Sequence, residues 1–235
     1  MEPIAQEIIN ELNRRADPAK AATLARFFKT GPGEYGEGDL FAGVPVPVAR
    51  EIAKRHREAP LPAIRELLAS PVHETRLTAL LILVLRFEKA KSGEERDECA
   101  RFYIDHVDAL NNWDLVDLTC YKILGPWLAD RSLLYEWARS GRLWRQRVAI
   151  VTCMHPVRRG DFSDAFAIAD ILLDHPHDLI HKAVGWTLRE AGKRDEEALS
   201  AYLLPRYRRM PRTMLRYAIE RFPEQKRQQF LKSQL

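Results

Sequence analysis

The sequence has few cysteines, no strand-like alternation and no long apolar run, and each shortage excludes a class of protein. Its 235 residues include three cysteines, Cys99, Cys120 and Cys153, with no Cys-x-x-Cys pair. An odd count of this kind argues against a disulfide framework and predicts buried thiols in a reducing compartment. No apolar run approaches the roughly 20 residues of a membrane-spanning helix, which argues against a membrane protein.

The composition is typical of a folded soluble protein, with 46% hydrophobic and 30% charged residues. Residues 1–16 read as an amphipathic helix and lack the basic segment and apolar block of a signal peptide, so we expect a cytoplasmic protein. The net charge is only +4, but arginines are concentrated in residues 142–159 and 206–221. A clustered basic surface predicts a polyanionic partner.

Hydrophobic periodicity along almost the whole chain predicts a fold made of α-helices alone. No alternation of polar and apolar residues is long enough to indicate a sheet. The predicted helices cover residues 3–15, 18–29, 46–58, 61–69, 74–90, 93–109, 112–129, 131–139, 143–154, 163–174, 178–192, 196–209, 211–222 and 224–233.

The glycine-rich segment Gly31–Asp39 interrupts this helical pattern. Its glycines are interspersed with acidic residues, and it lacks the Gly-Lys-Ser/Thr ending of a P-loop. A phosphate cradle needs backbone N–H groups without competing negative charge, and we therefore reject a P-loop. The segment is interpreted as a flexible or structural crossover loop.

A basic residue followed by small and apolar ones recurs in the second helix of several predicted pairs. It is found at Arg76, Arg147, Lys182 and Arg216, at intervals of 71, 35 and 34 residues, and the helix beginning near Asn112 falls close to the midpoint of the longest interval. This period predicts a solenoid of stacked antiparallel helix pairs of the HEAT or ARM kind. Equivalent positions then line up as one cationic track. The alternative is that each basic residue caps or pairs within its own repeat.

The segment Asn111–Asp117 predicts a helix start, with Asn111 or Asn112 as N-cap and Asp114 in the first turn. Trp113 and Asp117 then lie one turn apart on the same face. Taken alone, such a tryptophan is usually in the core and such an aspartate is usually solvated or capping.

Two later segments repeat this pairing of an indole with a charge, namely Trp144 with Arg147 and Lys182 with Trp186. Three such pairs in register predict a surface lined by aromatic rings and charged groups that binds a flat or sugar-like ligand. Of the five tryptophans, Trp113 and Trp186 are expected at the surface, and Trp127 and Trp137 in the core.

No motif indicates a metal or a covalent nucleophile. His177 and His181 are four residues apart, but no acidic ligand has the spacing of a metalloprotease motif, and His175, His177 and His181 are interpreted as a helix start and surface histidines. We expect no metal and no cofactor.

Three motifs together resemble the AlkD family of bacterial alkylpurine DNA glycosylases, namely Trp113–Asp117, the run Leu143–Ile150 and the run Lys182–Glu190. The loop Gly31–Asp39 and the Leu-Phe-Ala-Gly-Val-Pro-Val-Pro run that follows it are similar to the wider family of HEAT-like DNA alkylation repair proteins. The resemblance covers nearly the whole chain. It implies a single domain, residues 1–235, that forms a C-shaped stack with a basic concave face holding duplex DNA.

The resemblance also assigns roles to residues. The catalytic carboxylate falls on Asp117, its accompanying arginine on Arg147, and the two tryptophans that border the deoxyribose on Trp113 and Trp186. The sequence departs from the family at Asn112, where an aromatic residue is expected, and in the length of the acidic loop. Candidate DNA contacts are Arg76, Arg145, Lys182, Arg189, Arg212 and Arg216.

The implied function is a monomeric glycosylase that hydrolyses the N-glycosidic bond of cationic N3- or N7-alkylated purines in duplex DNA, without flipping the base. No general acid for the leaving base is evident, which limits the substrate to bases that already leave well. One alternative is a catalytically inactive HEAT-repeat protein that binds bent or branched DNA, and another is a protein-binding scaffold. The sequence leaves the preferred lesion open.

Overall fold

The computed structural model describes residues 2–234 and confirms the all-α prediction. Within these residues, extended pairing is limited to one parallel bridge between Leu40 and Val72. None of the described helices is both long and apolar enough to cross a membrane. The chain folds as two compact units, Met1–Thr119 and Cys120–Leu235. The single-domain assignment and the C-shaped concave face stay predictions.

The first unit builds its core around one long helix. Its elements are α1 Pro3–Arg14, α2 Pro18–Phe27, α3 Val46–Arg55, α4 Leu61–Leu68, α5 His73–Lys89, α6 Gly93–Asp105, a 3₁₀ turn Val107–Ala109 and α7 Trp113–Asp117. Helix α5 packs against α1, α3, α4, α6 and α7. Because it is surrounded on all sides, residues 77–84 are all buried, as a helix that is apolar all round requires.

The second unit is a series of stacked helices. They are α8 Cys120–Trp127, α9 Ser132–Arg139, α10 Leu143–Thr152, α11 Met154–Val157, α12 Ser163–Ile171, α13 Asp178–Gly192, α14 Glu196–Leu203, α15 Arg212–Ala218 and α16 Glu224–Leu231. Helix α10 packs against α8, α9 and α13, and α13 packs in turn against α14 and α15. Each helix therefore buries its apolar face against its neighbours in the stack, as in a solenoid.

Several predicted helices end earlier in the structure, and in two of them a side chain bonds to the helix end. The predicted helix 112–129 is divided into α7 and α8, because Thr119 Oγ1 donates a 2.5 Å hydrogen bond to the Leu115 carbonyl and is itself bonded to the Tyr103 hydroxyl at 3.0 Å. The predicted helix 93–109 ends at Asp105, where the ring Nδ1–H of His106 donates a hydrogen bond to the Phe102 carbonyl at 2.7 Å. In both cases a side chain hydrogen-bonds to a backbone carbonyl near the end of the helix, which competes with the backbone hydrogen bonds that would extend the helix.

The register of the repeated basic residues is confirmed in three of the four helices. Arg147, Lys182 and Arg216 are each the fifth residue of their helices, which begin at 143, 178 and 212, and Arg76 is the fourth residue of α5. Asp117 is the fifth residue of α7. Asp117 therefore occupies the register position at which the later helices carry a basic residue.

Close contact between α13 and α15 depends on Gly185. A Cβ at this position would lie 2.5 Å from the Cβ of Tyr217 and 2.6 Å from the carbonyl oxygen of Met214. These are backbone or near-backbone atoms, and the two helices would have to move apart to admit a methyl group.

We expect Gly185→Ala to lower the free energy of unfolding by about 1–3 kcal/mol, as measured by urea denaturation. Gly93→Ala is the matched control, because a Cβ at Gly93 meets no atom within 4 Å. Equal stability of the two variants would contradict the packing argument.

Candidate active site

Helix α7 carries the first candidate pair, Trp113 and Asp117. Its N-cap is Asn112, whose side-chain oxygen accepts from the Trp113 backbone N–H at 2.9 Å, which confirms the capping prediction. Asp114 lies in the first turn, is buried, and accepts the Leu115 N–H through Oδ1 at 2.9 Å. Trp113 and Asp117, one turn apart, are both partly exposed, as a substrate-contacting pair requires.

A buried cluster of charges lies beneath this helix, and sequence reasoning missed its central member, His73. The imidazole Nε2 is 2.9 Å from Asp114 Oδ2, and Nδ1 is 3.1 Å from Asp39 Oδ2. Neutral imidazole has only one N–H, whereas both nitrogens here face carboxylate oxygens. His73 is therefore an imidazolium that donates to both.

The pKa values agree with this charge state. Burial alone would lower the pKa of His73, but the hydrogen bonds to Asp114 and Asp39 outweigh it and raise the pKa to about 9. Burial opposes the charged form of Asp39 as well, yet hydrogen bonds from His73 and Asn111 and the charge of Arg76 keep the pKa of Asp39 below its ordinary value.

Arg76 belongs to the same cluster and is buried, which contradicts its expected place on an exposed cationic track. Its side chain is 7% exposed, with one guanidinium nitrogen 2.5 Å from Asp39 Oδ1 and 3.0 Å from the side-chain oxygen of Asn111. A second nitrogen donates to the Ser70 carbonyl at 2.8 Å. Arg76 neutralises a buried carboxylate and offers no charge to a phosphate.

Aromatic rings join the cluster to Trp113. The Trp113 indole stacks on Phe28 at 5.1 Å and 15°, Phe28 stacks on Phe41 at 5.1 Å and 21°, and Phe41 stacks on His73 at 4.6 Å and 21°. Phe27, which is 62% exposed, meets Trp113 edge to face at 6.0 Å. One face of the Trp113 indole is therefore covered by the protein.

The Gly31–Asp39 loop supports the site structurally, in agreement with the crossover interpretation. A Cβ at Gly36 would lie 2.5 Å from the Phe28 carbonyl and 3.2 Å from the Asn112 side-chain nitrogen, which explains a glycine there. Just beyond the loop, the buried carboxylate of Glu74 accepts the backbone N–H groups of Ala42, Gly43 and Val44 at 2.8–3.1 Å. The sequence signal for this was the presence of His73, Glu74 and Arg76 at the start of an otherwise apolar helix.

In the second unit, the candidate residues lie on α10 and α13. Arg147 is 5% exposed and donates to the Leu179 carbonyl in the first turn of α13, which contradicts its expected place on an exposed cationic track. Lys182 is paired with Asp178 at 2.7 Å within α13. The Lys182 contact matches the alternative of pairing within one repeat, whereas Arg147 bonds to a different helix, α13. Trp186 is partly exposed, as predicted.

The remaining candidate DNA contacts differ in how their charge is used. Arg189 is paired with Glu220, Arg212 donates to the Leu231 carbonyl at 2.6 Å, and Arg145 is partly exposed. Arg216 is exposed on α15, and no carboxylate among the described residues pairs with it. Of these arginines, Arg216 is the one best placed to meet a phosphate.

The predicted core positions of Trp127 and Trp137 and the predicted burial of the three cysteines have different outcomes in the structure. Trp137 is buried as predicted, but Trp127, the last residue of α8, is only partly buried, which contradicts its expected place in the core. The three cysteines are free and buried, which confirms the prediction of buried thiols.

The histidines predicted to be surface residues have structural partners. His177 caps α13 by accepting the Leu179 N–H at 3.1 Å, and burial lowers the pKa of His177, which keeps Nδ1 available as an acceptor. His175 contacts Gln146 at 3.0 Å. Elsewhere, Glu7, Glu11 and His56 bring three ligand atoms near one another, but Glu11 already pairs with Arg55 and His56.

Comparison with known proteins identifies the family. The sequence profile of the DNA alkylation repair enzymes matches residues 8–222. The chain belongs to this family. No curated protein matches the chain at the sequence level. The fold is similar to that of a protein described as a predicted DNA alkylation repair enzyme from Enterococcus faecalis, with a TM-score of 0.65 and 16% identity over 89% of this chain and 98% of that one.

The charge of His73 predicts a pH dependence of stability. Its pKa is about 9 in the folded protein against 6.5 ordinarily, so the folded state holds the proton more tightly. The stabilisation, on the order of 3 kcal/mol, is complete below pH 6.5 and is lost as the pH rises towards about 9. Urea denaturation should show this decline in the wild type and not in His73→Gln. Parallel pH profiles for the two proteins would contradict it.

Proposed function

We propose that the protein is a DNA glycosylase that hydrolyses the N-glycosidic bond of purines made cationic by alkylation at N3 or N7, in duplex DNA. The observation that carries the proposal is the pairing on α7 of a partly exposed carboxylate, Asp117, with a partly exposed indole, Trp113. Beneath this helix lies the buried charged cluster around His73. Membership of the DNA alkylation repair family supports the choice of alkylated DNA as substrate.

The chemistry follows from the charge that develops on the sugar. As the bond between C1′ and the purine nitrogen breaks, its electron pair goes to the base, which leaves neutral because alkylation had already made it cationic. The deoxyribose becomes oxocarbenium-like, and a fixed carboxylate at Asp117 stabilises that charge and orients water for addition at C1′. The water proton passes to the carboxylate or to solvent, and the products are free base and an abasic site.

The negative face of the Trp113 indole supports the same cation. Its other face is held by Phe28, so the ring is presented in one orientation. The reaction needs no acid to protonate the leaving base and no pocket for an extruded nucleotide, and the base is proposed to stay in the stack. The resemblance also assigns Arg147 and Trp186 to this reaction, and these assignments stay predictions.

We expect Asp117→Asn to slow release of 7-methylguanine from methylated duplex DNA by about 10²–10³-fold, because a pre-placed charge opposite the developing cation is removed. The measurement is single-turnover release, with the free base identified by mass. Asp105→Asn removes a carboxylate from the exposed end of α6 and should release base at the wild-type rate. Equal rates for Asp117→Asn and the wild type would refute the proposal.

The exposed charge on α15 gives a test of DNA binding that is separate from chemistry. Arg216→Gln should weaken binding to undamaged duplex and reduce the slope of log K against log salt by about 1, which is the effect of losing one phosphate contact. Arg101→Gln removes another exposed arginine, which lies on α6 outside the repeated basic positions, and should leave the slope unchanged. The salt titration contradicts the assignment if the two variants behave alike.

A further inference from the structure

Helix α7 is too short to hold its own position. It has five residues, whereas isolated helices shorter than about 12–15 residues are marginal in water. The placement of Trp113 and Asp117 therefore depends on contacts made by the rest of the helix with the first unit. The buried residue Asp114 supplies a charged contact of this kind, through Oδ2 to His73.

His73 joins two segments that are distant in the sequence. One carboxylate, Asp39, ends the glycine-rich loop, and the other, Asp114, lies in the first turn of α7. The His73 side chain is 2% exposed, and those of Asp39 and Asp114 are 2% and 5% exposed. A bridge at this depth is shielded from water, where the loss of one partner leaves an uncompensated charge.

The charges around this bridge balance only when His73 is protonated. The charged groups in direct contact are Asp39 and Asp114 on His73 and Arg76 on Asp39, which gives two cations and two anions. Asn111 adds a neutral donor to Asp39 at 2.6 Å, and Phe28 and Phe41 close the apolar side of the ring. Removing the imidazole leaves Asp114 with the Leu115 N–H but without a counter-charge.

We propose that His73 is a positioning residue for the active site: by bridging Asp39 and Asp114, it fixes helix α7 and hence the placement of Trp113 and Asp117. This inference rests on the proposed function for the role of Asp117 in the reaction. His73 itself touches no substrate and acts through Asp114.

The test compares His73→Gln with His56→Gln. His56 is also a buried histidine in the first unit, with Nε2 2.8 Å from Glu11 Oε1, but this bond joins the C-terminal end of α3 to α1 and not to α7. His73→Gln should speed amide hydrogen exchange in the peptide covering residues 111–119, measured by mass spectrometry, while His56→Gln leaves exchange in that peptide at the wild-type rate.

The rate of base release separates positioning from a general loss of stability. With both variants assayed below their melting temperatures, His73→Gln should slow single-turnover release by about 10–100-fold and leave the Kd for undamaged duplex within about twofold of the wild type. His56→Gln should change neither quantity. A double variant, His73→Gln with Asp114→Asn, should lose no more rate than the slower single variant, because the two residues act as one unit.

The outcomes distinguish this inference from the function on which it rests. Absence of base release by the wild type refutes the proposed function, and exchange at residues 111–119 still decides whether His73 fixes α7. Wild-type exchange in His73→Gln, or faster exchange with an unchanged release rate, overturns the positioning role. Additive losses in the double variant overturn the claim that His73 acts through Asp114.

Discussion

The first unit depends on one buried ionic contact, that of the His73 imidazolium with Asp39 and Asp114. A charge this deep in a protein is costly unless it is paired and hydrogen-bonded, and here each partner comes from a different part of the chain. Helix α5 supplies the cation, the glycine-rich loop supplies one anion and helix α7 supplies the other. The contact therefore specifies how these three segments meet, in addition to what it contributes to stability.

The sequence predicted those structural features that depend on residues close together in the chain, and it did not predict those that depend on distant partners. Helical periodicity and the Asn112 cap involve neighbouring residues, and both predictions agree with the structure. The burial of Arg76 was not predicted, because its partner Asp39 is 37 residues away. Arg147 is bonded to a carbonyl 32 residues away, for the same reason outside the reach of a pattern-based argument.

The charge state of His73 is a further feature that the sequence did not predict. A histidine at the start of an apolar helix gives no sign of its charge, since that charge is set by two carboxylates brought to its ring nitrogens only on folding. The resemblance to a known family assigned roles in the proposed reaction to Trp113 and Asp117, but it assigned none to His73. Supporting residues of this kind become visible only through their three-dimensional contacts.

The repeated helices use one register position for different purposes. The position carries a buried arginine in α10, a paired lysine in α13, an exposed arginine in α15 and a carboxylate in α7. A repeat scaffold allows this, because each helix is stabilised by its neighbours and a single position can change its chemistry without altering the stack.

The way the glycine-rich loop is anchored has a practical consequence for labelling the protein. Asp39 and Gly36 are held tightly. Pro32 and Gly33 form the exposed tip, where the N–H of Gly31 donates to Glu34 and the N–H of Gly33 donates to Glu37. Exposed loop tips of this kind tolerate insertions. A short tag or fluorophore inserted between Pro32 and Gly33 thus has a point of attachment close in sequence to Phe28 and Asp39, yet outside the contacts that hold the charged cluster.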